Sequence, residues 1–269
     1  MPQIINTNVQ SLNSQRSLDT SQTSLFTALQ RLSSGLRVNS SKDDAAGLAV
    51  AEKMNSQARG MTVAIRNAND GISLAQTAEA GMNVITSHLQ RMRELAVQAA
   101  SGQYDSDNRV ALNTEFQQLA SEIDRVISAT NFNGKALLDG TFTGMDFQVG
   151  ATTTGESQIG ITISSLSMAS GHITDSTNAL SAMDTLDNAI NNVNSNRAAL
   201  GAVQNRFEGV LSQLSAAREN AVAARSRIMD ADYAAETANL ARAQILQQAG
   251  VAMVAQANAL PQNVLSLLR

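Results

Sequence analysis

Apolar residues recur at alternating steps of four and three along most of this chain. That spacing marks one face of a helix that packs against a partner helix. Near the N-terminus Leu25, Leu29, Leu32 and Leu36 follow it, with Ile5, Val9 and Leu12 as a shorter run upstream. Ser33-Ser34-Gly35 and Asn39-Ser40-Ser41 interrupt the pattern, and Ser41, Asp43 or Asp44 is placed to cap the next helix. The longest stripe is Met61, Ile65, Ala68, Ile72, Ala75, Ala78, Met82, Ile85, Leu89, Met92, Ala96 and Ala99, with a single irregular step. Gly102 and Asp105-Ser106-Asp107 signal a turn and a cap. A third helix is predicted over Leu112, Phe116, Leu119, Ile123 and Val126, ending near Asn131-Phe132-Asn133-Gly134.

The period then changes. Phe147 alternates with Val149, and Ile159 with Ile161 and Ile163, around a Thr/Gly/Ser-rich loop, which predicts a small β-hairpin region between about Gly140 and Ser167. Helical spacing resumes from Met183 through Leu186, Ile190, Val193, Leu200, Phe207, Leu211 and Leu214 toward Ala221 and Ile228. Arg197, Gln204, Arg218 and Arg225 occupy seam positions in this stretch, as partner contacts or solvated edges. A last stripe, Leu246, Gly250, Met253, Ala257, Leu260, Val264 and Leu267, lies in a segment with no charge between Ala243 and Leu268. The first 30 residues carry only Arg16 and Asp19. An amphipathic helix facing water normally carries charge on its wet face, so both ends read as surfaces for burial against other protein.

Composition sharpens this picture. The chain has 269 residues, no Cys and no Trp, and its two prolines are Pro2 and Pro261, so nothing between them breaks a helix. Aromatics are 3% against 43% for all apolar types, which suits close helix packing rather than a wide core. The absence of Cys excludes disulfides, thiol nucleophiles and Cys-ligated metals. A net charge of −4 argues against a nucleic-acid surface. No apolar run reaches the length of a membrane span, and no cleavable signal peptide is expected at the N-terminus. His88 and His172 lack metal-ligand spacing, and no phosphate loop, HExxH or Gly-x-Ser-x-Gly motif occurs, so neither cofactor, metal nor catalysis is expected. Asp230, Asp232 and Tyr233 read as a helix start.

Several long strings carry a resemblance. Gln30-Arg31-Leu32-Ser33-Ser34-Gly35-Leu36-Arg37-Val38-Asn39 with Ser40-Ser41-Lys42-Asp43-Asp44-Ala45-Ala46-Gly47-Leu48-Ala49 closely resembles the N-terminal signature of bacterial flagellin. Arg66-Asn67-Ala68-Asn69-Asp70-Gly71-Ile72-Ser73, Leu89 to Gln98, Ala224 to Gly250 and the closing Pro261 to Arg269 resemble the same family. The resemblance implies a mainly α fold, a long antiparallel coiled-coil helical rod formed by the N- and C-terminal segments with the small β-hairpin in the middle. Its family plan implies residues 1–43 as the N-terminal helix of an inner domain D0 and 44–175 as N-terminal helices plus hairpin of D1. Residues 176–228 are then the C-terminal helix of D1 and 229–269 that of D0, with no D2 or D3. It further implies a structural subunit that self-polymerises into the flagellar filament, the nearest rival being a hook–filament junction protein.

The implied site residues follow from the same resemblance. Gln90, Arg91, Glu94, Leu95, Gln98 and Glu115 match the D1 surface that Toll-like receptor 5 recognises and that contacts neighbouring protofilaments. Arg91, Glu94 and Leu95 share helical spacings of three and four, so a common face is expected. The segment Gln30 to Ala51, with Gly35 and Asp43 at informative positions, resembles the peptide sensed by plant receptors. Leu246, Met253, Leu260, Val264 and Leu267 are the implied inner-tube seam. Implied partners are further copies of the chain, junction and cap proteins, and an export chaperone at the C-terminal segment. The implied location is the extracellular filament, reached through the flagellar type III channel.

Overall fold

In a computed structural model, residues 7–142, 144–152, 155–166 and 171–266 are described, with side chains up to 259. The described elements are helices α1 (Val9–Ser34), α2 (Ala45–Ala100), α3 (Ser106–Ala129), α4 (Ser176–Met229) and α5 (Tyr233–Ser266). Strands β1 (Asn131–Phe132), β2 (Lys135–Ala136), β3 (Met145–Gln148) and β4 (Gln158–Ile161) lie between α3 and α4. The chain divides into two compact units, Gln57–Glu219 and the joined ends Met1–Ser56 with Asn220–Arg269.

In the unit Gln57–Glu219 the long stripe on α2 is the spine of the core. Ala68, Ala75, Ala78, Met82, Ile85, Leu89, Met92, Ala96 and Ala99 are all buried, as the spacing predicts. α4 answers with Ala179, Leu186, Val193, Leu200 and Phe207, one residue every second helical turn. α3 adds Phe116, Ile123 and Val126. Asp105 caps α3 by accepting a hydrogen bond from Asn108 N at 2.9 Å. A Cβ on Gly71 would stand 2.7 Å from the Phe207 ring, so only glycine lets that ring seat against α2. Phe207 also meets Phe147 edge-on, ring centroids 5.8 Å apart.

Two of the four polar seam positions on α4, Gln204 and Arg197, meet Glu79 on α2. Gln204 Nε2 donates to Glu79 Oε2 at 3.1 Å, and an Arg197 guanidinium nitrogen lies 4.0 Å from Glu79 Oε1. The expected hairpin is the antiparallel pair β3–β4, with Phe147 opposite Ile159 and Met145 opposite Ile161. A second pair, β1–β2, turns through Asn133 and Gly134, both at positive φ. Asn-Gly is the standard composition of such a tight turn, and here it follows α3 rather than merely ending it.

In the unit formed by the chain ends, α1 packs along α5. Asn8 caps α1 by accepting from Ser11 N, and its Nδ2 donates to Ala257 O at 2.7 Å. Ser11 Oγ donates to Asn258 Oδ1 at 2.7 Å. At the other end Gly35 closes α1 with φ +70°, a left-handed turn that suits glycine. Gly35 O then accepts from Ala231 N at 2.9 Å, and Arg37 N donates to Met229 O at 2.6 Å. Val38, Ala51 and Met229 form a small buried cluster beneath this crossing. Asp232 starts α5, accepting from Ala234 N and Ala235 N.

One expectation shifts in this unit. The face of α1 turned inward is Ser11 and Ala28, with Leu18 and Leu25 half-buried, while Val9, Leu12 and Leu29 are exposed. The inward face of α5 is Ala243 and Ala257, with Gly250 close to Leu18. Small side chains let the two backbones approach closely, so the bulky ones are left pointing outward. The upstream Ile5 lies outside the described residues. Of the three cap candidates for α2, Asp44 is the one that serves, its Oδ1 accepting from Gly47 N at 2.7 Å.

Candidate functional site

The first candidate surface is built on α2 and α3. Successive turns of α2 bring Gln90, Arg91, Glu94 and Gln98 outward, and Glu115 stands opposite on α3. Arg91 Nε donates to Glu115 Oε1 at 2.9 Å, and a second guanidinium nitrogen donates to Glu94 Oε2 at 3.0 Å. One cation therefore ties together two carboxylates from two helices. These bonds, Glu115's foremost, raise the Arg91 pKa above its ordinary value. The triad keeps one net negative charge on an exposed face. Gln98 Nε2 donates to the Tyr104 hydroxyl at 2.8 Å, which fixes its side chain beside the loop after α2.

Leu95 is not part of that face. It is 1% exposed and sits in the core beside Met92, Ala96 and Ala99. An apolar residue at a spacing that fits both stripes turns to the dry one, because burial of a Leu is worth about 1.5–3 kcal/mol. Leu95 supports the Arg91 surface from beneath.

The second candidate is the segment Gln30 to Ala51. Gln30 is exposed on α1, Gly35 is the left-handed turn, and Ala51 is buried against Val38 and Met229. Asp43 closes a loop: its Oδ2 accepts from Ser40 N at 2.9 Å, Asn39 N at 3.1 Å and Ser40 Oγ at 3.1 Å. Those bonds, led by the Ser40 N–H, hold its carboxyl below the usual Asp range. The segment is thus part of a folded crossing rather than a free peptide.

The third candidate is the outer face of the α1–α5 pair. Leu246 and Met253 are exposed, Met253 by 60%. Leu260, Val264 and Leu267 lie outside the residues whose side chains are described. Val9, Leu12, Phe26 and Leu29 from α1, and Ile245 and Val251 from α5, are exposed as well, Phe26 by 68%. Spacing alone missed Phe26, Ile245 and Val251, which fall between the predicted seams. Among the described residues no helix is long and apolar enough to cross a membrane.

Residues 5–143 match the family model for the bacterial flagellin N-terminal helical region, and residues 183–268 match that for the C-terminal helical region. The flagellin of Halalkalibacterium halodurans is 46% identical over 271 residues, covering 99% of this chain and all of that protein. This chain belongs to the bacterial flagellin family. The crystal structure of Bacillus cereus flagellin is similar to it, with TM-score 0.50 and 30% identity over 55% of this chain and 88% of that one. A putative flagellar hook-associated protein from Vibrio parahaemolyticus has TM-score 0.60 over 70% of this flagellin and all of that chain, but at 12% identity it shows only the fold. Between its two matched regions this flagellin holds β3, β4, their loops and the first turns of α4, the short form without outer domains.

Proposed function

We propose that this flagellin is the structural subunit of a bacterial flagellar filament and polymerises through the outward faces of α1 and α5. Family membership and full-length identity to a flagellin carry the filament assignment. One observation supports the mode of assembly: large apolar side chains stand outward on both helices of the pair formed by the chain ends. An exposed apolar face of that kind is covered by a partner in a stable protein. A head-to-tail contact that does not close on itself generates a helical polymer.

On this reading residues 1–43 and 229–269 form the inner domain D0, and 44–175 with 176–228 form D1. The Arg91–Glu94–Glu115 face is the surface for Toll-like receptor 5 and for a neighbouring protofilament, so polymerisation hides it from the receptor. Plant receptors read Gln30 to Ala51 only after the crossing unfolds, since Ala51 is buried and Asp43 is bonded into its loop. Export runs through the flagellar type III channel with a chaperone on the C-terminal segment, and junction and cap proteins meet the filament ends.

Electron microscopy of the purified chain added to sheared filament seeds tests the assembly. Continued growth of the seeds is expected. Seeds that bind the chain once and stop growing contradict filament assembly and favour the hook–filament junction reading.

A further inference from the structure

Five charged side chains lie on the α1–α5 pair: Arg16, Asp19 and Arg31 on α1, and Glu236 and Arg242 on α5. Glu236 is buried, and Arg31 lies 3.9 Å from it. Among the described residues Arg16, Asp19 and Arg242 have no ion-pair partner, although Arg16 stands one helical turn before Asp19. Asp19 is exposed and is the sole acidic residue in the first 42.

Arg242 borders a groove of about 420 Å³ between α1 and α5, with the Arg31–Glu236 pair at its edge. On the α1 wall, Thr20, Ser24 and Thr27 each donate their hydroxyl proton to a carbonyl one turn back, at 2.9–3.0 Å. Their protons are committed to the helix, so the hydroxyls on this wall offer only acceptor lone pairs, and the donors for an acidic group come from α5. Across from it Arg242 and the Asn239 amide stand three residues apart on α5. With Arg31, Glu236 and Arg242 the groove carries one net positive charge, which selects an acidic group.

The same chain's Asp19 does not fill it. Leu18 lies beside Gly250, so Asp19 sits level with the stretch about seven residues beyond Arg242, roughly 10 Å along the axis. A positive groove and a lone acid offset along one helix pair are complementary between copies shifted along that axis. We infer that the groove receives Asp19 of a second copy of this chain, paired with Arg242. This contact rests on the filament reading and gives it a register: acid to groove, head to tail, without closure.

Seeded elongation tests it with charge reversals. Asp19→Lys alone and Arg242→Glu alone each set like charges together, and about tenfold slower growth is expected of each. An equimolar mixture of the two variants should recover growth, because each reversed residue meets its opposite on the other variant. Both positions are exposed, and the milder Asp19→Asn and Arg242→Gln should slow growth without changing helix content by circular dichroism. Unaltered growth of Asp19→Lys, or a mixture that grows no faster than its components, overturns the contact. If the unsubstituted chain extends seeds while the mixture fails, only the contact falls. If the unsubstituted chain extends no seeds, the filament reading falls and the contact with it.

Discussion

At the scale of single residues, the proposed receptor surface separates Arg91, which stands on it, from Leu95, which lies in the core beneath. Arg91 is exposed and bonded only to exposed carboxylates, so on the proposed receptor reading Arg91→Ala should weaken Toll-like receptor 5 activation while leaving the unfolding temperature of the chain nearly unchanged. Leu95→Ala removes a core side chain and should cost about 2–5 kcal/mol of stability. Reporter-cell titration beside calorimetry reads both. Full activation by Arg91→Ala, or undiminished stability of Leu95→Ala, contradicts the division of roles. Sequence placed Arg91, Glu94 and Leu95 on one face because spacings of three and four join them. It did not show that Leu95 also lies within reach of Met92 and Ala99, where burial wins. Asp43 and Asp44 were ambiguous for a similar reason: each precedes α2, and only backbone geometry decides which carboxylate reaches Gly47 N.

At the scale of elements, α2 and α4 are held by one seam of small and medium apolar residues with ionic clasps at its rim. Arg93 Nε donates to Asp187 Oδ1 at 2.6 Å and a second nitrogen donates to Oδ2 at 3.3 Å. That bidentate pair holds the Asp187 carboxyl below its ordinary value. A depressed carboxyl pKa contributes stability above the unfolded value, and the contribution fades as pH falls through the folded value. The stability gap between the unsubstituted chain and Asp187→Asn should therefore be present at neutral pH and close on acidification through the carboxylate range. Denaturant midpoints across that range check it, and a gap that stays constant with pH contradicts it. The α2 stripe was legible because twelve positions kept one period over a long helix. At the α1–α5 interface the predicted stripes were half right: Gly250 and Ala257 face inward, whereas Leu29, Leu246 and Met253, marked by their size, stand exposed. Ser11, Ala28, Ala243 and Ala257 face inward there, and they are the residues that permit close approach.

At the scale of the whole molecule, the two ends of the chain make one unit in which many large apolar side chains of α1 and α5, Phe26, Leu29, Leu246 and Met253 among them, stand exposed. The charge-free run from Ala243 to Leu268 announced that in the sequence. Which side chains stand outward was not readable until the small residues had claimed the inner face. A pair of helices left this way owes most of its helical stability to packing it lacks as a monomer. The direct measurement is amide hydrogen exchange of α1 and α5 in the free chain and in grown filaments, with α2 from Leu74 to Ala99 as internal reference. Exchange in α1 and α5 should slow by at least tenfold on polymerisation while the reference changes little. Equal protection of α1 and α5 in both states would contradict a subunit that completes the packing of its ends against other copies.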